Sequence, residues 1–176
     1  MSRSRRIPAA LPVLSTDREG LELLELGVAD ADAYYELVRA SRVHLAAFGN
    51  YDEEIAATRE EVRAYFAAPD DENLRFGLRL GGELIGRFDL NPVRPPHYVV
   101  GFWLGAHATG KGYATAAGAA VVDFARRELG ATDLFGGVTH GNDRSVAVLV
   151  RLGFRAVAEF EDYTRYQLVL AEAPTA

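Results

Sequence analysis

Hydrophobic residues alternate with polar ones in some stretches of this chain and recur every three to four residues in others; the two periods mark strands and helices. Residues 21–26, Leu-Glu-Leu-Leu-Glu-Leu, predict a first strand. Asp30 is the expected N-cap of a helix reaching about Arg42, with Ala33, Tyr34, Leu37, Val38 and Ser41 on one face. A second helix is predicted from about Asp52 to Ala67, stopped by Pro69. Leu74–Leu80 and Glu83–Leu90 then alternate on either side of Gly81-Gly82, the pattern of a hairpin. Asn91 to His97 holds three prolines and predicts a loop, which delivers the chain to a strand over Val99–Leu104. Beyond it the periods predict a helix from about Gly112 to Leu129, a strand over Asp133–Thr139, a helix over Asp143–Leu152 and a closing pair of strands, Arg155–Phe160 and Tyr163–Leu170. The expected fold is a mixed α/β single domain over residues 20–170, with a flexible N-terminal arm at 1–19 and a tail at 171–176.

Composition narrows the class. With 176 residues, 49% hydrophobic and 25% charged, the chain can bury one core of ordinary globular kind. No apolar run approaches the roughly 18 residues of a membrane span, and no apolar stretch of secretory type follows the arginines of residues 1–6, so a cytoplasmic location is expected. The absence of cysteine removes disulfides, a thiol nucleophile and thiolate metal sites. His44, His97, His107 and His140 are scattered without ligand spacing, so no metal is expected. A net charge of −6 argues against broad nucleic-acid binding and is compatible with a cationic amine substrate. The basic arm reads as a solvated tail before it reads as an RNA contact.

The chemistry concentrates in Gly105-Ala-His107-Ala-Thr109-Gly110-Lys111-Gly112-Tyr113-Ala114, a glycine-rich turn between a predicted strand and a predicted helix. Such a turn aims unpaired backbone N–H groups and the positive end of the helix dipole at an anion. It is not a nucleotide P-loop, because Gly112 stands where a magnesium-binding hydroxyl is required. A dinucleotide fingerprint fails too, since Thr115 occupies the position of its last glycine. A short pyrophosphate cradle fits better, with Gly110 and Gly112 admitting the anion and Ala114 keeping the first helical turn clear. The plainer reading is that the glycines end a strand and start a helix.

The stretch from His107 to Gly112 resembles the acetyl-coenzyme A loop of the GNAT acetyltransferases, in which Gln or Arg is followed by two residues, Gly, one residue, and Gly or Ala. His107 departs from the first position; Gly110 and Gly112 keep the others. Asn142 through Leu152-Gly153-Phe154 resembles the same family's helix followed by Leu-Gly-Phe. Ser145, Leu149, Gly101–Leu104 and Ser41–Leu45 bring it nearest the ribosomal-protein N-terminal acetyltransferases of the RimJ/RimL type. The resemblance implies a central, mostly antiparallel twisted sheet, splayed after its fourth strand and flanked by helices. It implies acetyl-CoA as co-substrate, without a metal, and a small-molecule or peptide amine as acceptor; dimerisation is a family-level expectation. Thr109, Lys111 and Tyr113 extend the cofactor loop, and the backbone of Trp103 and Leu104 would meet the pantetheine arm.

Several side chains keep two readings. Trp103 is also an expected core aromatic; Asn142 lies on the cofactor arm or caps a helix. Ser145 by resemblance protonates the coenzyme sulfur, or is an ordinary small helix residue. For the general base the sequence offers His97 first, then Tyr98, Asp89 and Glu161. Phe48, Tyr51, Glu159 and Glu161 are conceivable acceptor contacts. A non-catalytic acyl-CoA-binding regulatory module is the alternative function.

Overall fold

The computed structural model describes residues 8, 10–48, 51–68 and 73–170; the predicted C-terminal tail and Pro69 lie outside them. Eight strands form one sheet in the order β1-β2-β3-β4-β5-β6-β8-β7. They are β1 (Leu14–Ser15), β2 (Leu21–Glu25), β3 (Leu74–Leu80), β4 (Glu83–Arg94), β5 (His97–Leu104), β6 (Asp133–Thr139), β7 (Arg155–Glu159) and β8 (Tyr163–Val169). Every pairing is antiparallel except β5 with β6. That parallel pair requires a crossover, supplied by α4 (Tyr113–Arg127). The other helices are α1 (Ala31–Ala47), α2 (Asp52–Ala56), α3 (Arg59–Ala67) and α5 (Asp143–Arg151).

Alternation along the strands divides the core between the two faces of the sheet. Phe88, Leu90, Val100 and Leu104 pack with Ala117, Val121 and Phe124 of α4. Leu84 and Trp103 pack with Tyr34, Leu37 and Val38 of α1 and with Val62 and Phe66 of α3. Trp103 is therefore a core aromatic, edge-on to Tyr34 at 5.6 Å between ring centroids.

Four local expectations change. The predicted loop at Asn91–His97 is mostly strand: β4 runs to Arg94, and Pro95-Pro96 forms the turn into β5. Pro92 is accommodated on β4 where the register to β5 shifts, between Pro92 and Arg94. The helix predicted over Asp52–Ala67 is two, because Ala57 and Thr58 are extended. Thr58 restarts the helix through a capping box, its Oγ1 accepting from Glu61 N (3.2 Å) while Glu61 Oε2 accepts from Thr58 N (2.7 Å). Thr58→Ala is expected to lower stability by about 1 kcal/mol, read as a lower urea midpoint at unchanged slope; no shift in midpoint would contradict it. The buried stripe of α1 begins at Ala31 rather than Ala33, and it continues through Ser41 to Leu45, a turn beyond the predicted end. Within the predicted arm, Leu14 and Ser15 pair with Leu23 and Glu22 to add an edge strand. That extra strand makes β5 the fifth in chain order rather than the fourth.

Candidate active site

The β5–β6 ladder is short. Its register covers His97↔Asp133, Tyr98↔Leu134 and Val99↔Phe135 and then stops, while β6 continues to Thr139 on β8 and β5 continues to Leu104 on β4. Two strands held by neighbours on their outer sides have parted, leaving the β6-facing edge of Val100–Leu104 without a strand partner. At this opening lies a cavity of about 90 Å³. Val100, Gly101 and Phe102 form one wall and Gly136 to Thr139 the other; Asn142, Ser145 and Leu149 of α5 lie on one side, Phe48 and Tyr51 on another. Gly136 lets the walls approach, since a Cβ there would meet Leu149 Cδ1 at 3.2 Å and Val100 Cγ2 at 3.4 Å.

β5 leads through Gly105 and a helical turn at Ala106–Ala108 into the glycine turn. Ser41 of α1 fixes the exit, its buried Oγ accepting from Ala106 N at 3.1 Å. Gly110 (φ +75°) and Gly112 (φ +83°) are left-handed, a conformation that only glycine adopts without strain. Gly112 is the N-cap of α4; no side chain caps this end and its first turn carries no acid. The first intrahelical bond is Ala116 N to Gly112 O, which leaves the N–H groups of Tyr113, Ala114 and Thr115 without helix partners. An anion is the physical complement of such an end.

Two arginines approach the same turn from distant elements. Arg18 Nη2 lies 3.0 Å from where a Gly112 Cβ would sit. Arg144 of α5 donates to Thr109 Oγ1 at 3.3 Å, and that hydroxyl donates to Ala106 O at 3.1 Å. Burial and the Arg144 charge push the His44 imidazole below its usual range. Lys111 and His107 are exposed, Tyr113 is half-buried and Ala114 is buried against the core. Neither arginine had a signal in the sequence, because no local period relates them to the turn. The glycines of β6 did have one: Gly136-Gly137 inside a strand marks a close approach.

Of the catalytic candidates, Ser145 lines the cavity and His97 does not. His97 sits at the paired end of β5, where Nδ1 contacts Asp133 Oδ1. Val100 lies three positions further along the strand, about 10 Å at the usual rise. Asn142 caps α5, its Oδ1 accepting from Ser145 N at 3.3 Å, and it also lines the cavity, so both readings of that residue hold. Trp103 and Leu104 contribute backbone to the parted edge while their side chains are buried. Phe48 and Tyr51 line the cavity; Glu159 and Glu161 lie exposed beyond it. The Tyr51 hydroxyl donates to Phe102 O at 3.3 Å. Burial, reinforced by the charges of Glu54 and Asp89, pushes its phenol up to about 12, so Tyr51 stays a neutral donor.

A larger, shallower groove of about 680 Å³ lies between Pro8, Ala10 and Pro12 to Ser15 on one side and α4 on the other. It is remote from the parted strands, and the charged side chains Asp123 and Arg127 on its wall pair with each other at 2.8 Å, so the smaller cavity is the better candidate. Among the described residues no cluster of His, Asp or Glu is arranged to hold a metal, and no helix is long and apolar enough to cross a membrane.

The profile of the acetyltransferase (GNAT) domain family matches residues 21–155. Among solved structures, RimJ of Mycobacterium smegmatis bound to CoA-disulfide superposes with a TM-score of 0.81 at 22% identity, over 94% of this chain and 90% of that one. RimL, a ribosomal L7/L12 α-N-protein acetyltransferase bound to coenzyme A, gives 0.82 at 16% identity, over 90% and 98%. The ribosomal-protein-S5-alanine acetyltransferase of Vibrio fischeri gives 0.76 at 17%, over 89% and 96%. At these identities the likeness is one of fold. No curated protein sequence matches the chain.

Proposed function

Because the chain belongs to the GNAT acetyltransferase family, we propose that it binds acetyl-CoA across the β5–β6 opening and transfers the acetyl group to a primary amine. The observation that carries this reading is the parting of β5 from β6 after Val99, directly ahead of a glycine turn whose helix end is uncapped. The residues present fit the co-substrate. The edge of Val100–Leu104 that no strand pairs with matches the amides of a pantetheine arm, and the N–H groups around Gly110–Ala114 match a pyrophosphate. Bound there, acetyl-CoA supplies an activated thioester; the chain supplies position, hydrogen bonds and exclusion of water.

Ser145 is the proposed donor to the departing sulfur. It lines the cavity, and no protein acceptor for its hydroxyl is seen among the described residues. Asn142 orients it by holding the Ser145 backbone N–H. Lys111, Thr109, His107 and Tyr113 flank the phosphate end, with Arg18 and Arg144 adding charge.

The acceptor class follows from proton accounting. An α-amine with pKa near 7.7–8.0 is roughly one-tenth neutral at pH 7, whereas a lysine near 10.4 is neutral in about one molecule in several thousand. With no histidine among the residues lining the cavity, an α-amine or another low-pKa amine is the favoured class. RimL and the Vibrio fischeri enzyme carry protein acceptors in their names, and a peptide N-terminus is the first acceptor to try.

The test is coenzyme A release from acetyl-CoA against a panel of peptide α-amines, free amino acids and lysine side chains, with mass spectrometry of the products. Turnover of α-amines ahead of lysines is expected; thermal stabilisation by acetyl-CoA with no turnover of any amine would assign a binding module instead. Within this reading Ser145→Ala is expected to lower kcat about tenfold, less than the roughly 10²–10⁴ of strong acid–base catalysis because a thiolate leaves readily, with the Kd for coenzyme A unchanged. An unchanged kcat would remove Ser145 from the mechanism.

A further inference from the structure

The edge of β5 that β6 has left is not wholly bare. Gly105 N donates to Ile85 O at 2.8 Å, which extends the β4–β5 ladder one step past Gly86↔Leu104 with a hydrogen-bonded pair. Along an antiparallel ladder such pairs alternate with pairs that exchange no hydrogen bond. Counted back from Gly105, the residues Leu104, Phe102 and Val100 stand in pairs of the second kind, opposite Gly86, Phe88 and Leu90. Their N–H and C=O groups therefore turn away from β4, toward the opening. The stacking of Phe102 on Phe88, with ring centroids 5.2 Å apart, fits the closer side chains of such a pair.

Phe102 O, the middle carbonyl of this edge, is already taken. The hydroxyl of Tyr51, at the N-cap of α2, donates to it at 3.3 Å. Two contacts set the position of Tyr51: its own carbonyl accepts from Ile55 N at 2.9 Å, and its ring lies edge-on to Trp103, 6.5 Å between centroids. Burial holds the phenol in its protonated form, so the donor is always present. Tyr51 and Phe102 both line the cavity. A pantetheine arm laid along the same edge presents amide N–H groups to the same carbonyls. Phenol and arm thus compete for one acceptor, and the phenol holds it loosely, since O–H···O bonds are usually about 2.7–2.8 Å long.

We propose that Tyr51 is a latch on the empty coenzyme slot, closing the β5 edge through Phe102 O until a pantetheine arm displaces it. The inference rests on the acetyl-CoA reading and adds to it a bond that the coenzyme must break on entry. One neutral hydrogen bond is worth about threefold to tenfold in affinity.

The test is calorimetry with two ligands: coenzyme A, and 3′-phosphoadenosine 5′-diphosphate, the nucleotide half of the same molecule without its pantetheine arm. Tyr51→Phe keeps the ring and removes the hydroxyl. Its Kd for coenzyme A is expected to fall about threefold to tenfold, with the Kd for the nucleotide unchanged, which also shows that the variant is folded. Should Tyr51→Phe be unstable, Tyr51→Met removes the hydroxyl with a flexible apolar side chain in its place and is expected to give the same split. An unchanged Kd for coenzyme A would mean that Phe102 O serves both donors at once, and a higher one that Tyr51 holds the bound coenzyme; either overturns the latch. An equal gain for the nucleotide would overturn it too, by placing the effect away from the pantetheine edge. Failure of the wild type to bind coenzyme A would strike the acetyl-CoA reading, and this inference with it.

Discussion

Gly112→Val is expected to raise the Kd for coenzyme A about a hundredfold in a protein that still folds. Gly112 holds φ +83° at the N-cap of α4, and a β-branched residue in that region costs of order 1–3 kcal/mol. The side chain would also enter the one place where the cradle must be empty. Its Cβ would lie 3.0 Å from Arg18 Nη2, displacing a cation from the anion's surroundings. About 2.7 kcal/mol corresponds to a hundredfold, within reach once strain and lost phosphate contacts are combined. Calorimetry with coenzyme A, beside a urea titration, separates the two contributions. Wild-type affinity in Gly112→Val would mean that the pyrophosphate lies elsewhere. Gly110→Ala is a graded comparison: Gly110 holds φ +75° with nothing within 4 Å of its Cβ position, so strain is its main penalty.

The largest loss of stability is expected from Arg87→Ala, about 3–5 kcal/mol, the range for breaking a buried ion pair by removing one partner. Burial works against the Arg87 charge, but Asp89 and the phenols of Tyr34 and Tyr65 outweigh it and raise its pKa. Removing the guanidinium leaves Asp89 and two hydroxyls without their common donor and opens a void between β4, α1 and α3. The double variant Arg87→Met with Asp89→Leu removes both charges and fills the space, and should recover much of the loss. Equilibrium urea unfolding of the three proteins decides this. A cost below about 1 kcal/mol for Arg87→Ala would show that the pair behaves as a surface ion pair.

The periodic elements were legible because their signals are local. Alternation in Leu74–Leu80 and Glu83–Leu90 around Gly81-Gly82 fixed a hairpin, and the glycine turn with Asn142–Phe154 pointed to the family whose profile the chain matches. The misread segments are those where tertiary context overrides local chemistry. Prolines predicted a loop at Asn91–His97, yet β5 pairs with that segment through Arg94, with Pro92 tolerated at a register shift. The single helix predicted from Asp52 to Ala67 missed a break that Thr58 and Glu61 encode as a capping box, a local signal that was present in the sequence. His97 was ranked by the chemistry of its side chain alone, and its position three residues before the strands part removes it from the cavity.

By itself, the sequence determined most of the elements, the mixed α/β class and the glycine turn, since helix period, strand alternation and left-handed glycines are properties of neighbouring residues. Only the tertiary structure decided where β5 leaves β6, which side chains meet across that opening, and that Arg18 and Arg144 converge on the turn while Tyr51 lines the cavity. These depend on strand register and on contacts between residues far apart in the chain, and no short-range pattern encodes them.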